Sequence, residues 1–168
     1  KHHLIFIRPS LSISQQTVQV FRNVLGLGED DNEVLLEHYS SVVPDKDDEK
    51  EQQRRLAAER WDKPIIVTTM VQFLETVMSA KATKLRKFHN MADSVIVFDE
   101  IQALPTNTIN MFNEVVSFLS KILGSTILLC SATQPLLEQT DRNNLLLSDE
   151  PDLINFNNAY AARLRRTN

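Results

Sequence analysis

The chain has 168 residues, 42% of them apolar, with 18 basic and 22 acidic side chains and a formal net charge of −4. That size and composition suit one domain with a substantial buried core, and the acidic balance excludes nucleic-acid binding through a global positive field, leaving only a local patch for that purpose. The lone Cys130 excludes an internal disulfide, and His2, His3, His38 and His89 lack zinc-ligand spacing, so a reducing compartment without a structural metal is expected.

Lys1-His2-His3 precede only four apolar residues before Arg8-Pro9, too few for a signal peptide or a membrane span, and a soluble cytoplasmic chain is expected. Apolar runs recur at Leu4 to Ile7, Val34 to Leu36, Ile65 to Val67, Val95 to Phe98 and Ile127 to Cys130, each suited to a strand buried on both faces. Helical stripes lie between them. Val18, Phe21 and Leu25 form a short one; Met70, Phe73, Leu74, Val77 and Met78 form a second. The clearest runs from Ile109 through Phe112, Val115, Val116, Leu119, Ile122 and Leu123, with Gly124 as its C-cap. Strands alternating with helices predict an α/β fold with a parallel sheet covered on both sides. Asp45 to Arg60 places acid before base and reads as a solvated helix or loop. Beyond Thr133 only Asn143 to Leu147 and Ile154 to Phe156 offer apolar anchors, for a helix or two at the sheet edge. No internal repeat or low-complexity linker divides the chain.

The chemistry-bearing residues sit at strand ends. Ile96-Val97-Phe98-Asp99-Glu100-Ile101 is an apolar strand closing in two carboxylates, and carboxyl ends of parallel strands face the crevice where ligands bind. In nucleoside triphosphatases the first such carboxylate holds the magnesium that bridges the phosphates of ATP, and its neighbour orients or deprotonates the attacking water. Asp99 is then the magnesium residue and Glu100 the base, or else the pair simply opens a loop after the strand. A second polar tip, Ser131-Ala132-Thr133, follows about thirty residues later, a normal βα crossover and return strand; its hydroxyls suit a carboxylate or a phosphate oxygen. Pro9-Ser10-Leu11-Ser12 and Thr68-Thr69 also close strands, and serve either as phosphate sites at helix N-termini or as ordinary caps. Lys81, Lys84, Arg86 and Lys87, beside Phe88 and His89, form a basic cluster suited to backbone-phosphate contact or to a solvated face. Of the glycines Gly26, Gly28 and Gly124, none is followed by lysine, so the phosphate-cradling loop of such enzymes is missing.

Asp99-Glu100-Ile101-Gln102, Ser131-Ala132-Thr133 and Thr68-Thr69 resemble motifs II, III and Ib of superfamily 2 helicases. The segments Glu59 to Thr69, Lys84 to Asn90 and Ser131 to Pro135 resemble the helicase-nuclease of type I CRISPR interference systems, over nearly the whole chain. The resemblance implies a three-layer RecA-like domain of the P-loop NTPase type with a mainly parallel sheet, residues 1–168 forming part of the first motor domain from motif Ia to just after motif III. It implies ATP-driven 3′ to 5′ movement on single-stranded DNA, on foreign DNA opened by a crRNA-guided surveillance complex, with an HD-type nuclease domain that degrades the DNA. Carried over by position, Asp99 and Glu100 bind magnesium and catalyse hydrolysis, and Ser131 and Thr133, with Gln102, couple it to DNA. Pro9, Ser12, Thr68, Thr69, Gln72, Lys84 and Arg86 would line the DNA track.

The sequence departs from that pattern where Ser10 and Leu11 replace an aromatic residue and threonine of motif Ia, and where Gln102 replaces the usual histidine or aspartate. The P-loop strand, the second motor domain and the nuclease domain would be supplied from elsewhere. Without the P-loop strand, the run Ile127 to Cys130 is expected to become an exposed sheet edge prone to self-association, and the 168 residues are expected to be inactive by themselves. The rival expectations are a non-catalytic module binding nucleic acid or the surveillance complex, and a superfamily 2 helicase unrelated to CRISPR.

Overall fold

The computed structural model describes residues 3–28, 31, 33–39, 56–79 and 82–131, with 82–85 described by their backbone. Thr133, Lys81, most of the charged stretch and the expected anchors at 143–147 and 154–156 lie outside these residues.

All the expected strands form: β1 (Leu4–Arg8), β2 (Leu35–His38), β3 (Ile65–Thr69), β4 (Val95–Phe98) and β5 (Thr126–Leu129). They pair in the order β2-β3-β1-β4-β5, and every pairing is parallel. Their apolar, β-branched sequences fit strands covered on both faces. The register is in step: Leu4 stands opposite Ile65 and Val95, Leu35 opposite Ile65, and Val95 opposite Thr126. The strands therefore begin together and end together, and Pro9, Asp99, Cys130 and Thr69 emerge at one end of the sheet. Among the described residues β5 has one neighbour, β4, and forms the outer edge.

Alternate side chains feed two cores. On one face Ile5, Ile7, Ile66, Ile96 and Phe98 pack with Trp61 and with Met70 and Phe73 of α2 (Met70–Met78). Met91 of α3 (Ala82–Met91) and Phe112, Val115, Val116 and Leu119 of α4 (Ile109–Lys121) complete that layer. On the other face Leu35 and Val67, with Phe6 and Ile65, meet Val18 and Phe21 of α1 (Leu11–Leu25). Helices thus cover both faces, consistent with the RecA-like three-layer arrangement. An aromatic series crosses the first face: His38 on Trp61, Trp61 stacked on Phe73, then edge contacts to Phe98 and Phe112 at 5.2 and 5.0 Å. Each such pair contributes about 0.5–1.5 kcal/mol beyond its burial.

Local chemistry sets the element ends. Gly26 takes φ +66 after α1, letting Leu27 N donate back to Arg22 O at 2.9 Å. Arg22 is buried, donates to Gly28 O at 2.6 Å and pairs with Glu37 at 3.1 Å, which ties α1 to β2. Thr69 begins α2 by accepting Gln72 N at 3.3 Å. Gly124 is left-handed as expected, but α4 is already capped at Ile122, and Gly124 instead makes the turn into β5. Helix α3 carries no clear apolar stripe in the sequence, because Lys84, Arg86 and Lys87 interrupt it; Phe88 and Met91 hold it, Phe88 meeting Phe118 of α4 edge-on at 5.9 Å.

Candidate active site

The backbone fixes Asp99 before its side chain does anything. Asp99 N donates to Ile7 O at 3.0 Å, extending the β1–β4 ladder by one residue, while Cys130 N donates to Phe98 O at 2.8 Å and Ile101 N to Cys130 O at 3.1 Å. Asp99 is thereby clasped between the tips of β1 and β5. Glu100 then turns the chain sharply: it sits in the left-handed region at φ 55, ψ 43, a conformation that disfavours a residue bearing Cβ by about 1–2 kcal/mol. Its N–H donates to Asp99 Oδ1 at 2.9 Å, and Ile101, only 3% exposed, anchors the following 3₁₀ turn (Ile101–Ala103) in the core.

Side chains join the two polar tips. Ser131 Oγ donates to Gln102 Oε1 at 2.7 Å, and Gln102 Nε2 donates to Glu100 Oε2. The carboxylate sets the polarity of this series, because an anionic acceptor requires the amide to present its NH₂ and leaves its carbonyl for the serine hydroxyl. Glutamine at 102 can serve both neighbours; an ionised aspartate there could not donate to Glu100. Glutamine at 102 therefore joins the two polar strand tips.

The other oxygen of Asp99, Oδ2, forms an ion pair with Arg8 Nη1 from the tip of β1. Sequence reasoning passed over Arg8, although a signal was present: a charged residue directly ending a run of buried apolar ones, on a strand that turns out to adjoin the Asp99 strand. The ring of Phe6 lies 5.9 Å from the guanidinium, and Arg8 Nε is buried without a hydrogen-bond partner among the described residues.

The residues expected along a DNA track divide. Pro9 is half-buried and Ser12 exposed in the first turn of α1, beside Ser10, whose backbone caps that helix without a side-chain bond. Gln72 is half-buried in the first turn of α2, on the same end of the sheet, since Arg8 is in register with Thr69. Thr69 is 8% exposed and its hydroxyl caps α2; Thr68 is fully buried and donates to His38 O at 2.7 Å. The hydroxyl of Thr68 thus links β3 to β2.

Of the basic cluster, the described side chains Arg86 and Lys87 do not lie near this end. Lys87 is 4% exposed, its ammonium 4.8 Å from the Trp61 ring centroid, and Asn90 Nδ2 donates to Arg60 O at 2.9 Å. Both contacts lie where the chain enters β3, and α3 itself runs into the start of β4. The second half of α3 therefore sits at the amino ends of the strands, opposite Asp99. Arg86 is exposed there, and the Lys84 side chain is outside the described set.

Among the described residues, no group of three or more His, Cys, Asp or Glu side chains is placed to hold a metal, and no helix is long and apolar enough to cross a membrane. No family model matches the chain. It is similar to the CRISPR-associated nuclease/helicase Cas3 of Haloferax volcanii, 26% identical over 156 residues that cover 85% of this chain and 17% of that protein. The chain thus spans about a sixth of the length of the curated relative it matches. The similarity supports a Cas3-like origin and, at the coarse level, an enzyme.

Proposed function

We propose that the chain forms part of the first motor domain of an ATP-dependent DNA helicase acting in CRISPR interference, in a protein that also carries a phosphate-binding loop, a second motor domain and a nuclease domain. The observation that carries this reading is the side-chain series Ser131–Gln102–Glu100 beside Asp99, which joins two strand tips at the ligand-binding end of a parallel sheet. The similarity to a nuclease/helicase adds to it.

Asp99 and Glu100 fit magnesium, which takes one or two carboxylates and completes its shell with substrate phosphates and water. Asp99 would hold the ion; when bound, it would neutralise charge on the phosphates of ATP. Glu100 is the base: Gln102 holds Oε2, and the remaining oxygen accepts the proton of the attacking water. Ser131 senses that carboxylate through Gln102 and, with Thr133, would couple hydrolysis to the strand. Single-stranded DNA would run over Pro9, Ser12, Thr69 and Gln72, with Thr68 bracing the floor from below. Lys84 and Arg86 would meet DNA only on a path continuing toward the other end of the sheet. The outer edge of β5 is where the phosphate-loop strand would pair, and the crRNA-guided complex would deliver the DNA in the cytoplasm.

The test is DNA-stimulated ATP hydrolysis in a protein that carries both this segment and a phosphate loop. Glu100→Gln lowers turnover by about 10²–10⁴-fold while nucleotide affinity persists. Retained turnover in that variant reassigns the base, and a complete protein that never hydrolyses ATP is a non-catalytic binding module instead.

A further inference from the structure

Arg8 and Asp99 are each about four-fifths buried, with side-chain exposures of 20% and 19%. A charge at that depth needs a partner, and Asp99 supplies one. The pairing is nonetheless one-sided. Nη1 meets the carboxylate, while Nε is buried without a partner among the described residues; a fork through Nε and a terminal nitrogen would have satisfied both. Arg8 is therefore paired with Asp99 while part of its donor capacity stays unused.

We propose that Arg8 occupies the cation position on Asp99 and is displaced from it by a divalent metal ion. This rests on reading Asp99 as the metal residue. A dication and a guanidinium cannot share Oδ2, because their repulsion at contact distance would offset what the carboxylate offers either one. The dication has twice the charge and, unlike the guanidinium, adds direct oxygen coordination, so it wins at sufficient concentration. Arg8 then leaves Asp99. Because Arg8 adjoins Pro9 at the end of β1, its release alters the segment that leads to Ser12, linking metal occupancy to the mouth of α1. The fold thus carries an internal competitor that keeps the site neutralised until metal arrives.

Manganese binding to the chain, read by the loss of the free-ion signal in electron paramagnetic resonance, tests this directly. Arg8→Gln removes the competitor and raises manganese affinity about tenfold, equivalent to ~1.4 kcal/mol. Arg8→Lys keeps the charge and leaves affinity near that of the unsubstituted chain, and Asp99→Asn abolishes binding in either background. In the unsubstituted chain the Arg8 Nε–H resonance shifts as magnesium is added, a readout that stands even if Arg8→Gln fails to fold. Manganese binding that depends on Asp99 but is unchanged or weakened by Arg8→Gln overturns the competition and leaves the metal reading intact. An unmoved Arg8 resonance during Asp99-dependent binding does the same. Binding that is indifferent to Asp99→Asn overturns both.

Discussion

The two ends of the sheet are both rich in polar side chains, and they use them differently. At the amino end, side chains bond to backbone: His3 Nδ1 lies 2.7 Å from Lys63 O, Ser94 and Ser125 both donate to Met91 O at 2.5 Å, and Asn90 donates to Arg60 O. At the carboxyl end Thr68 and Thr69 also bond to backbone, but around Asp99 side chains bond to one another: Arg8 to Asp99, Ser131 to Gln102, Gln102 to Glu100. Side chain to side chain bonds are the minority class in folded proteins, roughly 10–15% of the total. Where the partners are exposed, as Gln102 and Ser131 are, such bonds are poor structural glue, since water competes and several rotamers must be frozen together. The amino end is held by bonds to backbone; the cluster around Asp99 is held by side-chain bonds that a ligand, on the proposed reading, would rearrange.

Substitutions that separate folding from turnover sharpen this contrast. The largest loss is expected in the core, where Trp61 is fully buried between His38, Phe73 and Lys87: Trp61→Ala removes about 3–5 kcal/mol of stability in denaturant titration. An equal loss from Gln102→Leu would erase the distinction. That variant instead leaves the unfolding midpoint almost unchanged and slows ATP turnover about tenfold in a protein with the complete site, by letting Glu100 swing. The smallest change comes from Ser125→Ala, about 1 kcal/mol of stability with hydrolysis untouched, because Ser94 still donates to Met91 O. If Ser125→Ala slowed hydrolysis, the two ends would be mechanically coupled.

Much of this was legible in the sequence because parallel strands covered on both faces leave apolar runs, and those runs marked every strand of the described sheet. The run Val34 to Leu36 shifted to Leu35–His38, since pairing with β3 rather than hydropathy decides where a short strand stops. Helix α3 escaped notice because its buried face is thin, resting on Phe88 and Met91 among cations. Lys87 misled for a related reason: its spacing reads as a solvated basic patch, yet its stem is buried and its ammonium lies over an indole contributed from the chain before β3. Asp99, Glu100, Gln102 and Ser131 were named from motif and position, and the geometry brings them together. Arg8 went unnamed because its role depends on β1 lying next to β4, a matter of strand order that no local window contains.

Glu100 holds a left-handed backbone that glycine or asparagine would adopt with less strain. Backbone geometry therefore ranks at least two residues above glutamate at this position, while the proposed proton transfer would rank glutamate above both. Foldability and chemistry pull in opposite directions within one residue. On the proposed reading, a sequence drifting toward stability alone would trade this carboxylate for glycine or asparagine, so glutamate at 100 answers to the proposed chemistry rather than to the backbone.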